Sequence, residues 1–155
     1  MSEDHEKEKQ KMFGIKPYIT FAGNCEEAIN FYKDKLAGEI LFVQRYGDSP
    51  MKEMGPADAI MHATIKIGDS ILMASDNCSK EHPTHVGNNI SLAMGSKDVS
   101  QAEAMFANMS DGANVIMPMQ ETYWAERFGM LTDKFGINWM FNVDKPEADH
   151  AKAAA

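Results

Sequence analysis

The chain has 155 residues, 44% of them apolar and 25% charged, enough for one well-filled core and too little for two ordinary independent domains. Its 23 acidic residues against 15 Lys and Arg give a net charge of −8, and no Lys/Arg cluster is present to neutralise a phosphate backbone, so no nucleic-acid partner is expected. No apolar run reaches signal-peptide or membrane length, and Cys25 and Cys78 lie far apart outside any Cys-x-x-Cys pattern, so the expectation is a cytoplasmic protein with ordinary thiols and no membrane contact.

Residues 1–14 are charged and Lys/Glu-rich, and read as a disordered leader. A first module follows over 15–76. Tyr18 to Ala22 alternates as a short strand, and Cys25 to Leu36 repeats Ala28, Phe31, Tyr32 and Leu36 at helical spacing, with Asn24 in N-cap position. Gly38 stops that helix, and Glu39 to Tyr46 is rich in β-branched and aromatic residues. Gly47 to Ala59 carries two glycines and two prolines among charges and reads as a long, lid-like loop. Ile60 to Ile67 and Ser70 to Ser75 then make a hairpin across the Gly68-Asp69 turn.

After a linker over 77–88, the order repeats over 89–143. A strand from Asn89 to Met94 leads to a helix over Val99 to Met109, a strand over Ala113 to Gln120 interrupted by Pro118, and a loop with Tyr123 and Trp124. Strands from about Arg127 to Thr132 and from Asn138 to Val143 close the module around the turn at Asp133 to Gly136. Each half reads β-α-β-β-β, and residues 144–155 read as a flexible Ala-rich tail. A half of this kind has an unpaired edge and a bare face, so a second copy supplies what the first must bury. The fold expected is α+β, two paired βαβββ modules forming a curved eight-stranded sheet with a cleft and the helices outside. Thirteen methionines are many for this length; they suit a core, and they also suit a surface that accepts varied apolar ligands.

Three blocks resemble the vicinal oxygen chelate superfamily, which holds glyoxalase I, extradiol dioxygenases and the fosfomycin and bleomycin resistance proteins, and within it the PhnB-like branch. They are Tyr18-Ile19-Thr20-Phe21-Ala22-Gly23-Asn24-Cys25-Glu26-Glu27-Ala28-Ile29-Asn30-Phe31-Tyr32; His62-Ala63 with Ile67-Gly68-Asp69; and Gln120-Glu121-Thr122-Tyr123-Trp124-Ala125, running on to Phe128-Gly129 and Thr132-Asp133-Lys134-Phe135-Gly136-Ile137-Asn138-Trp139. The resemblance spans nearly everything from residue 16 to 143. It implies two-fold assemblies, hence a homodimer, and in glyoxalase-like members four strands that each offer a His, Glu or Gln to a divalent metal. Matching the blocks puts Pro17, Met73, Asn89 and Met140 at those four positions, and none is an ordinary ligand for such an ion. No metal and no cofactor are therefore expected. Some relatives carry the name demethylubiquinone methyltransferase, but the Gly-rich turn of a doubly wound sheet is absent here and the element order differs.

Strand alternation puts Ile71, Ser75, Asn138 and Asn142 on the side of Met73 and Met140, joined by Asn89 and Ser91. With Trp124 from the loop, the expected ligand-binding set is Met73, Ser75, Asn89, Ser91, Trp124, Asn138 and Met140, a pocket of amides, hydroxyls and thioethers. Trp139 reads as core. Arg127 reads as an ion-pair partner of Glu126 or Asp133. Three functions fit. One is metal-independent capture of a small amphipathic molecule in the cleft between modules. Another is a metal-dependent glyoxalase- or dioxygenase-type enzyme with a displaced site, drawing on His62 and the His82-Pro83-Thr84-His85 segment. The last is a metal-free lyase or isomerase with His62, Glu121 or Glu126 as base, which needs one of them buried beside the pocket.

Overall fold

The computed structural model describes residues 3–11 and 13–146. The chain divides into two compact units at Thr84/His85, with the short stretch Asp34–Leu36 counted in the second. Among the described residues no helix is long and apolar enough to cross a membrane.

Helix α1 covers Glu3–Lys11 within the segment expected as a disordered leader. Its first turn holds Glu3, Asp4 and Glu6. Acidic residues there complement the helix dipole, and Lys7 follows Glu3 at i, i+4 spacing. Most of the Ala-rich tail expected over 144–155 lies outside the described residues; Asp144 itself ends the last strand.

In the first unit, β1 (Tyr18–Phe21), α2 (Cys25–Lys35), β2 (Glu39–Arg45), β3 (Ile60–Ile67) and β4 (Ser70–Asp76) follow in order. They make a four-stranded sheet ordered β1-β4-β3-β2, with β1 parallel to β4 and the other pairs antiparallel. Leu72, Ala74 and Asp76 of β4 are buried while Ile71, Met73 and Ser75 are half-buried. One face therefore belongs to the core and the other is the open face. On α2 the core residues are Cys25, Ala28, Ile29, Phe31 and Tyr32. The N–H groups of Gly23 and Cys25 at its start are taken by Oδ1 of Asp76, at 3.1 and 2.9 Å, and Oδ2 of the same carboxylate accepts from Ile60 N at 2.9 Å. A residue at the far end of the module thus caps the helix, in the role expected of Asn24.

The loop over 47–59 is pinned at its base. Tyr46 N donates to Ala59 O and Gly47 N to Ala57 O, both at 3.0 Å, and Arg45 Nη1 donates to Asp58 O at 2.7 Å.

The second unit repeats the order with β5 (Ser91–Ser96), α3 (Val99–Met109), β6 (Asn114–Gln120), β7 (Ala125–Thr132) and β8 (Asn138–Asp144), in a sheet ordered β5-β8-β7-β6. Its helix is capped locally, Asp98 accepting from Ser100 N and Gln101 N. Phe106 of α3 meets Phe141 of β8 edge-on at 5.4 Å, so α3 covers this sheet's core face. The eight strands are thus hydrogen-bonded as two sheets of four.

Candidate functional site

On the first sheet, pairing sets the open face. Tyr18 lies opposite Met73 and Thr20 opposite Ser75, while Thr64 lies opposite Met73 and Gln44 opposite His62. Tyr18, Thr20, His62, Thr64, Met73 and Ser75 therefore share one side. Pro17 precedes β1 and gives its carbonyl to Met73 N at 3.0 Å, so Tyr18 is the β1 residue beside Met73 on this face. His62 is its centre. Tyr18 Oη lies 3.2 Å from Nδ1, Thr64 Oγ1 lies 3.3 Å from Nε2, and the rings of Tyr18 and Phe42 stand 5.6 and 6.0 Å from the imidazole.

On the second sheet Ser91 lies opposite Asn138 and Ala93 opposite Met140, with Met130 and Phe128 of β7 opposite Met140 and Asn142. Asn89 stands two residues ahead of β5 and is exposed; Ala93 holds the position beside Met140 that Tyr18 holds beside Met73. Asn138 is occupied structurally: its Oδ1 accepts from Thr132 Oγ1 at 2.8 Å and its amide reaches Ile90 O at 3.2 Å. Trp124 packs edge-on against Phe128 at 5.3 Å, with Tyr123 against it in turn at 4.9 Å. Asn142 donates from Nδ2 to Asp144 Oδ1 at 2.7 Å, which orients its own Oδ1 away from that carboxylate. That Oδ1 is buried and accepts nothing, alone among the described side chains in being so. A buried acceptor without a donor costs free energy until one arrives.

The other candidates are placed elsewhere. Glu121 is exposed and ion-paired with Lys145 at 3.1 Å, and Glu126 is exposed on β7, so neither has the burial that work as a base requires. Arg127 binds Glu103 of α3 at 3.1 Å and the carbonyl of Glu126 at 2.7 Å, in place of a carboxylate of Glu126 or Asp133. Trp139 is 4% exposed and donates from Nε1 to Asp133 Oδ2 at 2.9 Å, a core role. His82 and His85 are exposed. Among the described residues no three His, Cys, Asp or Glu side chains are grouped to hold a metal ion. Tyr18, Thr64 and Phe128 were outside the expected ligand set, and Asn142, expected on the same side as Met140, was not included in it; the strand pairing that places them is not written in local spacing.

A family model described as 3-demethylubiquinone-9 3-methyltransferase matches residues 13–141. Protein YjdN of Escherichia coli K12 is 34% identical over 144 residues, covering 86% of this chain and 97% of that protein. The chain belongs to the PhnB-like branch of the vicinal oxygen chelate superfamily. Within it, the crystal structure of PA1353 from Pseudomonas aeruginosa superposes with a TM-score of 0.76 at 38% identity, covering 85% of this chain and 98% of that one. The Bacillus cereus PhnB protein, at 22% identity and a TM-score of 0.70 over 84% of this chain and 99% of its own, shares the fold. The vicinal oxygen chelate architecture is thus present in this PhnB-like chain.

Proposed function

We propose that this PhnB-like chain is a metal-independent small-molecule-binding protein that captures an amphipathic ligand on the open faces of its sheets. The observation that supports this most is Asn142 Oδ1, a buried acceptor without a donor beside the apolar patch of Met130, Met140, Phe128 and Trp124. An apolar surface with one convergent polar group is the usual anatomy of a ligand site, and half-exposed thioethers adapt to ligand shape. The ligand set is Met73, Ser75, Ser91, Trp124 and Met140, with Asn142 added, Asn89 peripheral and Asn138 held in hydrogen bonds within its own unit. The protein is taken as a cytoplasmic homodimer. Exposed Leu41, Phe42 and Val43 on β2, and Val115 and Ile116 on β6, support burial of these edge strands against a second copy.

The test uses the two tryptophans. Trp139 is buried on Asp133, so a ligand-dependent change in emission belongs to Trp124. A panel of amphipathic donors is expected to shift that emission, and Trp124→Ala to weaken their binding about tenfold by calorimetry. Unchanged affinity in Trp124→Ala removes that residue from the site. Near-stoichiometric retention of added nickel, zinc, manganese or iron overturns the metal-independent reading.

A further inference from the structure

We infer that Tyr18, His62 and Thr64 form an oxyanion-binding site on the first sheet, taking a small carboxylate against the Tyr18 hydroxyl with an affinity set by protonation of His62. The inference rests on the reading of the open faces as ligand surfaces, and adds to it the chemical class of one ligand group.

Both ring nitrogens of His62 already face hydroxyls, at 3.2 Å for Tyr18 and 3.3 Å for Thr64. A neutral imidazole has one N–H and one bare nitrogen, so one of the two hydroxyls must donate inward and only the other can donate to a ligand. In the tautomer bare at Nδ1, that inward donor is Tyr18, and its proton is unavailable. The imidazolium has two N–H groups, each with an oxygen waiting as acceptor. Both hydroxyls are then released to donate outward, and a positive charge stands directly behind Tyr18 Oη. Tyr18 is 48% exposed, so its hydroxyl is within reach of solvent species. Charge-assisted hydrogen bonds of this kind are roughly twice as strong as neutral ones.

The surroundings leave His62 to set the local charge. On β1 the titratable neighbour is Tyr18 itself; β2 brings Phe42 and Gln44, and β4 brings Met73 and Ser75, all uncharged. On β3 the charged residue of this face is Lys66, about 13 Å along the strand and opposite Glu39 of β2. Among the described residues of this sheet, the carboxylate of this face is that of Glu39, set at the far end of the strands from the imidazole. The rings of Tyr18 and Phe42 flank the position, which favours a carboxylate on a flat apolar body.

The experiment is a titration of the full chain with benzoate, acetate and inorganic phosphate between pH 5.5 and 8, read from the His62 ring resonances by NMR. Saturable benzoate binding is expected, about tenfold tighter when His62 is charged than when it is neutral. His62→Gln is expected to abolish the pH dependence, and Tyr18→Phe, at a partly exposed position that does not hold the core, to weaken binding at every pH. Benzoate affinity that is independent of pH, pH dependence that survives in His62→Gln, or no saturable binding by any of the three anions overturns the inference. Failure here leaves the Trp124 emission result on the other sheet unaffected, so the two readings fail separately.

Discussion

Two buried carboxylates show how little a residue's identity says about its work. Asp76 and Asp133 are 3% and 4% exposed, and each is spent on N–H donors of its own module: Asp76 on Gly23, Cys25 and Ile60, Asp133 on Phe135, Ile137 and the Trp139 indole. The local turn around Asp133 is readable from a few neighbouring residues, whereas the partners of Asp76 are 16 to 53 positions away and nothing in the spacing announces them. Cys25 sits beside Asp76 in the same buried corner. Burial, with the charges of Asp76 and Glu26, pushes its thiol from 9.0 up to about 12. Below pH 9 it is protonated folded or unfolded and adds no pH dependence; between pH 9 and about 12 the unfolded thiol ionises while the folded one does not, so stability falls as pH rises. Urea unfolding across that window is expected to lose up to about 1.4 kcal/mol per pH unit from this group, and Cys25→Ala to flatten the slope by that amount.

At the scale of elements, close approach of helix and strand governs the second unit. A methyl group on Gly129 would lie 2.7 Å from Met119 Sδ, 2.9 Å from Phe106 Cε2 and 3.2 Å from the Met117 carbonyl. The thioether can yield, but the ring and the backbone oxygen are held by α3 and β6. Gly129→Ala is expected to cost about 1–3 kcal/mol in urea unfolding, while Gly95→Ala, with nothing within 4 Å of the added carbon, changes little. The hairpins β3–β4 and β7–β8 were legible because alternation and a tight turn specify register locally. For β1 and β5 the case differs: each is a short edge strand pairing in parallel with a partner far along the chain, so no turn fixes the register. Tyr18 beside Met73 and Ala93 beside Met140 emerge only from the pairing, one residue from Pro17 and four from Asn89, the positions that block matching gave.

For the molecule as a whole, the duplication was the most legible feature, since element order repeats even where side chains do not. The chemistry of the repeats was less so. Tyr18, His62, Thr64 and Ser75 in one unit correspond to Ala93, Phe128, Met130 and Asn142 in the other, and a repeat in backbone says nothing about which donors a face will show. The outward thioethers of Met73, Met117, Met130 and Met140 are half-exposed, whereas Met109, at the end of α3, is fully buried. Peroxide would therefore reach the open sheet faces before the core, and each sulfoxide formed there would replace an apolar group by a strong acceptor. If those faces hold the proposed ligand, oxidation would change which ligands they favour while leaving the core thioether of Met109 untouched.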